Sequence, residues 1–262
     1  MNKIDIIESE VLLKLDSALK VETVYPSSIF DVLKLKITVL ESTELLLHYQ
    51  NSKAVKIDIT FEIMDHVSFS LSEIRESTKM KVQYQYFIGT YSDVKVLKFY
   101  DCDALKELNL IQLNGEYASI HHQIKTIAKK PERLDTVVYH NAKNTSSNIM
   151  NQGVNIEEGS IDFQVTGIVY HGIKDCNLNQ NNRIITMNEN KCNINPILLI
   201  EENDVSANHA AYIGKFDEQQ MFYFMSRGIP EQKAFQLLVK GFLLDSMVEV
   251  DPLEKIIEKY WR

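Results

Sequence analysis

From about residue 33 onward, apolar and polar residues alternate with a period of two, as they do along a half-buried β-strand. The clearest examples are "LKLKITVL" at 33–40, "AVKIDITFEI" at 54–63, "MKVQYQYFI" at 80–88 and "DVKVLKFY" at 93–100. The same alternation continues at 117–128, 135–142, 160–170, 182–187 and 196–203, and no long helical pattern interrupts it. Val, Ile, Tyr, Phe and Thr are frequent in these segments, which favours strands. We therefore expect a mainly β protein with many short strands.

Many short strands without intervening helices can close as a sandwich, a barrel or a solenoid. Between residues 144 and 203 the expected turns are polar and rich in asparagine, as in "NAKNTSSN", "DCNLNQNN" and "NENKCNIN". Asparagine tolerates the left-handed backbone conformation found at corners. This pattern is compatible with a β-helix, in which strands stack turn upon turn, but does not by itself select one.

The pattern changes to helical at residue 216. Asp217 and Gln220 form a capping-box signal, an apolar stripe follows, and Gly228 with Pro230 ends this first helix. A second helix is predicted from Pro230, with one apolar face made by Ala234, Leu237, Leu238, Gly241 and Phe242. A third is predicted from Asp251, with Leu253, Ile256, Ile257, Tyr260 and Trp261 on one side. We divide the chain into a mainly β core with a short N-terminal segment, 1–215, and a helical segment, 216–262. A short helix is also predicted within 4–19.

The composition is that of a globular protein without an obvious nucleic-acid or membrane partner. Of its 262 residues 45% are apolar and 24% charged, and the net charge is −8. No basic cluster offers the electrostatic surface that nucleic acid needs. The first residues lack the apolar run of a signal peptide, and no segment is apolar over the ~18 residues needed to cross a bilayer. We expect a cytoplasmic protein.

Sequence motifs for common chemistry are absent. Cys102, Cys176 and Cys192 lack the C-x-x-C spacing of a zinc site, and are expected to be free thiols. No G-x-S-x-G, G-x-x-x-x-G-K-[ST] or G-x-G-x-x-G motif occurs, which argues against a serine hydrolase, an ATPase and a dinucleotide-binding protein. Near a strand end lie three acidic residues, Glu201, Glu202 and Asp204. Cleavage of a polysaccharide needs two carboxylates that face one cleft, whereas adjacent positions on a strand face opposite sides.

Seven histidines are present, and each is more commonly a surface or core residue than a ligand. His121 and His122 are neighbours in a strand, so they face opposite sides and cannot bind one ion together. His209 lies among Ala207, Ala210 and Ala211, which leave space for a close partner, and imidazole is a good ligand for iron or zinc.

The segment "NDVSANHAAYIGKFDEQQMFYFMSRGI" at 203–229 closely resembles the C-terminal signature of the SufB/SufD family of the SUF iron–sulfur cluster assembly system. Upstream, 137–200 follows the order of that family: a histidine, a T-x-S turn, a G-x-I strand, a Q-x-N-R segment and a P-x-L-x-I strand. The resemblance covers about residues 135–248. It implies a right-handed parallel β-helix followed by a small helical segment, and a scaffold subunit without catalytic activity of its own.

The resemblance is closer to SufD than to SufB. SufB members have a cysteine in the Q-x-x segment and a glutamate directly after the histidine, where this chain has Asn181 and Ala210. SufD members have a histidine followed by small residues, as at His209. By this resemblance His209 faces a cysteine of a partner subunit, where iron or a nascent cluster is held transiently in the complex; the isolated chain carries no cofactor. Whether flavin binds is left open by the sequence.

The resemblance also implies two protein partners. One is SufC, an ABC-type ATPase that docks on the C-terminal helices, with Phe222, Tyr223, Ser226, Arg227, Gly228 and Phe242 as the expected docking residues. The other is SufB or a second copy of this chain, paired through the end of the β-helix. An alternative is a divergent homodimeric scaffold that binds iron or a cluster itself through Cys176 or Cys192. A carbohydrate-active β-helix enzyme is the third hypothesis.

Overall fold

The computed structural model describes residues 2–3, 10–15, 20–25, 32–52, 56–245 and 250–260, and the descriptions below concern these residues. Fifteen strands are followed by three helices. The strands are β1 Asn2–Lys3, β2 Glu10–Leu15, β3 Lys20–Tyr25, β4 Val32–Val39, β5 Thr43–Ser52, β6 Lys56–Ile63, β7 Ser68–Ile88, β8 Asp93–Leu113, β9 Ser119–Ala128, β10 Pro131–His140, β11 Ser146–Asn155, β12 Ser160–Val169, β13 Cys176–Thr186, β14 Asn193–Ile200 and β15 Val205–Gly214. The helices are α1 Glu218–Ser226, α2 Glu231–Leu244 and α3 Val250–Glu258.

All strand pairs are parallel and build two faces of a β-helix. Face A contains β1, β3, β5, the first halves of β7 and β8, β9, β11, β13 and β15; face B contains β2, β4, β6, the second halves of β7 and β8, β10, β12 and β14. From β2 onward each turn stacks on the next at a spacing of 24 to 31 residues, as Thr38 pairs with Glu62 and Asp162 with Asn193. The predicted mainly β fold and the parallel β-helix implied by the resemblance are confirmed.

The core fills the space between the two faces, which we call the interior. Alternate residues of each strand point into it, as in β12, where buried and half-buried positions alternate along the whole strand. The apolar interior contains residues from both faces, such as Leu71, Val96 and Ile120 of face A and Phe61, Ile111 and Phe163 of face B. The period of two in the sequence is therefore the alternation between the interior and the outside of the solenoid.

Helices α2 and α3 cover the outside of face A. Val239, Leu243, Leu253, Ile256 and Ile257 are buried against a row of face A side chains, among them Ile74, Phe99, Ile127, Val154 and Ile185. The predicted apolar sides of the last helix are thus confirmed for Leu253, Ile256 and Ile257, whereas Trp261 lies outside the described residues. In α2 the buried side is rotated from the predicted one, because Val239 and Leu243 are buried and Gly241 is exposed.

Two local predictions are wrong. The helix predicted within 4–19 is contradicted at Glu10–Leu15, which is strand β2, and its other residues lie outside the described ones. The asparagines of "DCNLNQNN" were expected in a turn but lie in strand β13, where cross-turn amide hydrogen bonds hold them: Asn179 Nδ2 donates to Asn148 Oδ1 at 3.0 Å. Amide ladders of this kind satisfy polar groups within a stacked sheet, so asparagine does not interrupt the strand.

Corners between face B and face A use the left-handed backbone that the sequence predicted, but mostly with other residues. Asn144 has a φ of 59°, and so, within a few degrees, do His66, Tyr91 and Tyr117. The last three rings stack, with centroids 5.3 Å apart for His66 and Tyr91 and 4.7 Å for Tyr91 and Tyr117. Ring stacking offsets part of the backbone strain that a non-glycine residue has there.

Candidate functional site

His209 lies on the last strand of the β-helix. Among the described strands β15 pairs with β13 alone, and in this register His209 is aligned with Gln180 and Ala211 with Asn182. The last strand of face B, β14, likewise pairs with β12 alone. This end of the solenoid therefore presents two strand edges whose backbone groups are available to another chain.

The register also shows which way His209 points. Aligned residues of neighbouring parallel strands project to the same side of a sheet, and Gln180 is buried in the interior. His209 consequently projects to the interior side of a turn that no further strand covers, and its side chain is exposed. Ala207 and Ala211 project to the same side, so the space beside the imidazole is open, as the sequence predicted, whereas Ala210 projects to the outside.

Beneath His209 lie carboxamides with atoms that have no protein partner. Gln180 Nε2 donates to Ile197 O at 3.3 Å, which leaves Gln180 Oε1 without a partner. Asn151 Nδ2 donates to Asn182 Oδ1 at 2.7 Å, which leaves Asn182 Nδ2 without one. The last turns of the interior thus present polar, uncharged groups toward the open end.

The three cysteines are far less available than His209. Cys102 and Cys176 are buried, and Cys176 Sγ lies 3.3 Å from Thr145 Oγ1. Cys192 is half-buried, accepts the backbone N–H of Ile161 at 3.4 Å, and has a thiol pKa raised by burial. A raised pKa and burial both reduce the thiolate that binds metal. The geometry therefore gives little support to iron binding by Cys176 or Cys192.

Among the described residues, no three His, Cys, Asp or Glu side chains are grouped so as to hold a metal ion. One imidazole is too few ligands for iron or zinc. A metal site at His209 would have to take its other ligands from a second subunit at the open end. His121, as expected, faces away from the interior and His122 into it.

The acidic residues near the end of β14 form ordinary surface contacts. Glu202 accepts the backbone N–H groups of Gly172 at 3.0 Å and Asn203 at 2.9 Å, and Asp204 pairs with Lys174 at 2.8 Å. These contacts use the carboxylates to fix a corner of the solenoid. They do not bring two acids together across a cleft, as hydrolysis of a glycosidic bond requires.

Helix α1 is the most exposed apolar element at this end of the molecule. None of its residues is buried, and Phe222 is 72% and Tyr223 52% exposed. A cleft of about 560 Å³ separates α1 from α2 and the solenoid, lined by Met187, Phe216, Met221, Phe222, Met225 and Phe235 together with polar residues. An apolar helix with open space on both sides is typical of a surface that binds another protein.

The cap residues fix where α1 begins and ends. Asp217 Oδ1 accepts the backbone N–H of Gln219 at 2.8 Å at the start. At the end, Gly228 has a φ of 80°, and Ile229 N donates to Phe224 O at 3.2 Å, which is a Schellman ending. The sequence predicted both ends correctly.

The expected docking residues fall into three groups. Phe222 and Tyr223 form the exposed surface of α1, and the guanidinium of Arg227 lies 4.6 Å from the centroid of the Tyr223 ring. Ser226 and Gly228 serve the helix itself, since Ser226 Oγ donates to Tyr223 O at 2.9 Å. Phe242 is only 8% exposed and packs edge-on against Phe216, so it supports the surface rather than lining it.

A charged network in the interior was missed by the sequence reasoning. In β7, Arg75 Nη2 lies 2.6 Å from Glu73 Oε1 and 3.1 Å from Tyr84 Oη. In β8, Lys98 Nζ lies 3.0 Å from Glu107 Oε1. All these side chains are buried. The signal was in the sequence, because charged residues stand at positions where the period of two demands an apolar residue.

The next turn of the interior holds polar groups whose pKa values burial shifts away from the charged form. Burial raises the pKa of Glu132 to about 8, although Thr126 Oγ1 donates to its Oε2 at 2.7 Å. Burial, assisted by nearby Lys98, holds the pKa of His122 well below its ordinary value. Burial lowers the pKa of His140 to about 4, and its ring nitrogens bond Thr145 and Ser147. These three groups are therefore neutral at pH 7.

Comparison with known proteins addresses the family directly. The family described as "SUF system FeS cluster assembly, SufBD core domain" matches residues 87–242, more than half of the chain. The iron–sulfur cluster assembly protein SufD of Bacillus subtilis (strain 168) is 34% identical over 144 residues, which cover 55% of this chain and 33% of that protein. SufBD family proteins of Staphylococcus saprophyticus and Staphylococcus aureus (strain USA300) are each 33% identical over 122 residues, 45% of this chain and 26% of theirs.

These alignments span a third or less of the relatives' own length. The region matched by the family, residues 87–242, includes β15 with His209, all of α1 and most of α2. No helix among the described residues is both long and apolar enough to cross a membrane. From the parallel β-helix and the match over residues 87–242, this chain belongs to the SufBD core-domain family of the SUF iron–sulfur cluster assembly system.

Proposed function

We propose that this chain is a SufD-like, non-catalytic scaffold subunit for iron–sulfur cluster assembly. The observation that carries the proposal is the combination, at one end of the β-helix, of an exposed histidine on an unpaired strand edge and an uncovered apolar helix a few residues later. The likeness to SufD of Bacillus subtilis supports the same assignment.

In this proposal the open end of the solenoid pairs with SufB or with a second copy of this chain. The edges of β14 and β15 supply unpaired backbone groups, and Leu199, Tyr212 and Ile213 add exposed apolar surface beside them. Iron or a nascent cluster is the cargo, held between the imidazole of His209 and a thiolate of the partner. A site divided between subunits binds metal only in the assembled pair.

Helix α1 is the proposed docking element for a SufC-type ATPase. Burying Phe222 and Tyr223 would remove two large exposed aromatic side chains from water, each contributing about 1.5–3 kcal/mol to association. Because α2 and α3 pack directly on face A, movement of the ATPase can be transmitted from α1 to the solenoid.

Co-elution of the purified chain with the SufC-type ATPase of its own organism tests the docking surface. Phe222→Ser combined with Tyr223→Ser should abolish co-elution, since both side chains lie on the proposed contact. A matched control is Tyr170→Ser, which removes an aromatic ring of similar exposure from a distant corner of the solenoid. Failure of the unaltered chain to bind the ATPase, or equal binding by the double variant, would remove α1 from the proposal.

A further inference from the structure

Gln180 crosses the interior one turn below the open end of the solenoid. It belongs to β13 of face A, and its Nε2 donates to the backbone oxygen of Ile197 in β14 of face B. Gly167 makes room for this crossing: a Cβ at that position would lie 3.4 Å from Gln180 Nε2 and 2.7 Å from Leu178 Cδ2. The carboxamide is therefore fixed in place, with only 2% of the residue exposed.

The second polar atom of this carboxamide has no partner. Oε1 of Gln180 is buried and accepts no hydrogen bond from the protein. A buried acceptor of this kind costs about 1–3 kcal/mol unless a donor reaches it. In the register of face A, the residue aligned with Gln180 on the preceding strand is Ile149, and the one on the following strand is His209.

His209 is consequently the aligned side chain that can supply a donor. Neighbouring strands are about 4.8 Å apart, so an imidazole and a carboxamide stacked in register are within hydrogen-bonding reach. In the described part of the chain no strand lies beyond β15, which leaves the imidazole free to turn about its side-chain bonds. Ala207 and Ala211, its neighbours on the same side, do not obstruct this rotation.

We propose that Gln180 is a positioning residue for His209: its Oε1 accepts a hydrogen bond from one imidazole N–H and leaves the other ring nitrogen facing the partner subunit. The proposal rests on the role of His209 as an iron ligand given above. A ligand histidine needs one nitrogen unprotonated, and the bond made by the other nitrogen decides which one that is. Gln180 thereby sets the tautomer before the partner arrives.

The tautomer of His209 in the full chain, read from its imidazole nitrogen chemical shifts after ¹⁵N-histidine labelling, tests this role. The signals are assigned by their loss in His209→Ala. The ratio of the two neutral tautomers should differ about fivefold between the unaltered chain and Gln180→Met, which keeps the size but lacks the acceptor, because one ordinary hydrogen bond supplies a bias of that size. Gln180→Glu, which restores an acceptor, should return the ratio toward that of the unaltered chain.

Asn179→Ala is the matched control, because Asn179 is the neighbouring residue on β13 and points to the outside. It should leave the tautomer unchanged; Gln180→Leu replaces Gln180→Met if the latter unfolds. An equal tautomer ratio in the unaltered chain and in both Gln180 variants would overturn the proposal.

Measuring the iron affinity of the assembled pair shows whether the positioning role of Gln180 or the ligand role of His209 has failed. Gln180→Met should weaken iron binding about tenfold, which is the smaller effect expected when a metal ligand loses the residue that hydrogen-bonds to it. If His209→Ala leaves iron binding intact, the ligand role itself fails; if His209→Ala abolishes binding while Gln180→Met changes neither binding nor tautomer, only the positioning role fails.

Discussion

Lys98 and Glu107 lie inside the β-helix with no exposed side-chain surface, and their Nζ and Oε1 atoms are 3.0 Å apart. Asn109 accepts a second bond from Lys98 at 2.7 Å, and the ammonium stands 3.1 Å from the centroid of the Tyr84 ring. Burial lowers the pKa of Lys98, and the pair with Glu107 opposes that shift. Lys98 therefore depends on Glu107 to remain charged in the interior.

Removing one member should destabilise the protein strongly. We expect Lys98→Met to lower the free energy of unfolding by about 3–5 kcal/mol, because Glu107 is left as an uncompensated buried charge. Replacing both, as Lys98→Met with Glu107→Gln, should recover more than half of the loss. Urea unfolding measures the difference, with Lys95→Met on the outside of the same strand as control. Equal effects of Lys98→Met and Lys95→Met would contradict the buried pair.

The buried carboxyl group of Glu132 should make the stability of the protein depend on pH. Its pKa is raised from 4.5 in the unfolded chain to about 8 by burial, so the folded protein holds one proton more than the unfolded chain between these values. Its contribution to stability is fully present below about pH 4.5 and is lost as pH rises toward 8, by at most about 5 kcal/mol. Glu132→Gln, which stays neutral, should abolish this dependence.

Denaturant unfolding of both proteins between pH 5 and 8 provides the measurement. The variant should be the more stable of the two at pH 8. A parallel pH dependence in wild type and Glu132→Gln would show that Glu132 is already ionised in the folded state.

At the scale of elements, α1 differs from α2 and α3 because its stability comes from its caps. It buries no residue, whereas α2 and α3 contribute half of the buried residues in the apolar cluster on face A. Short helices without tertiary packing are marginal in water. The proposed docking surface therefore depends on Asp217 and Gly228 as much as on its aromatic rings.

Loss of the N-cap should loosen α1 alone. Asp217→Ala removes the acceptor for Gln219 N and should cost the helix about 1 kcal/mol. Amide hydrogen exchange should become faster in α1 and not in the strands, and affinity for the ATPase should fall about fivefold if the helix must be formed to bind. Asp217→Asn, which keeps a cap, is the control. Unchanged exchange in α1 would show that the cap does not hold it.

Strands with a clear period of two could be predicted from the sequence. Strands and side chains that are stabilised by contacts with other turns could not. The strand predicted at 160–170 alternates strictly and matches β12 within a residue, whereas 80–88 is only the second half of β7, whose first half was not predicted. Strand β13 was partly missed because its asparagines are stabilised by amide ladders to other turns, which a single strand does not reveal. The interior charges stand at positions where the period of two demands an apolar residue, but the contacts that hold them need the fold: Lys98 of face A meets Glu107 of face B, and Arg75 of face A meets Tyr84 of face B.

At the scale of the whole molecule, the position of His209 depends on the stacking of turns. The sequence placed it near the end of the β-region, and the family resemblance supplied its proposed role. Only the register shows that it stands above Gln180 on the interior side of the last turn, on an edge that no strand covers. Helix α1 begins at Glu218, four residues after β15 ends at Gly214, so the two proposed partner surfaces are close together along the chain.

Cluster formation by the reconstituted complex tests the proposed function most directly. The chain, its SufB-type partner and its SufC-type ATPase are supplied with iron, a sulfur source and ATP, and cluster is measured by visible absorbance and acid-labile sulfide. His209→Ala should still co-elute with both partners. It should lower the cluster yield at least about tenfold, because losing a metal ligand weakens binding at least as much as losing a residue that hydrogen-bonds to that ligand. Asn208→Ala, an outward-facing neighbour on the same strand, should have no effect. A cluster yield from His209→Ala equal to that of the unaltered chain would contradict the account.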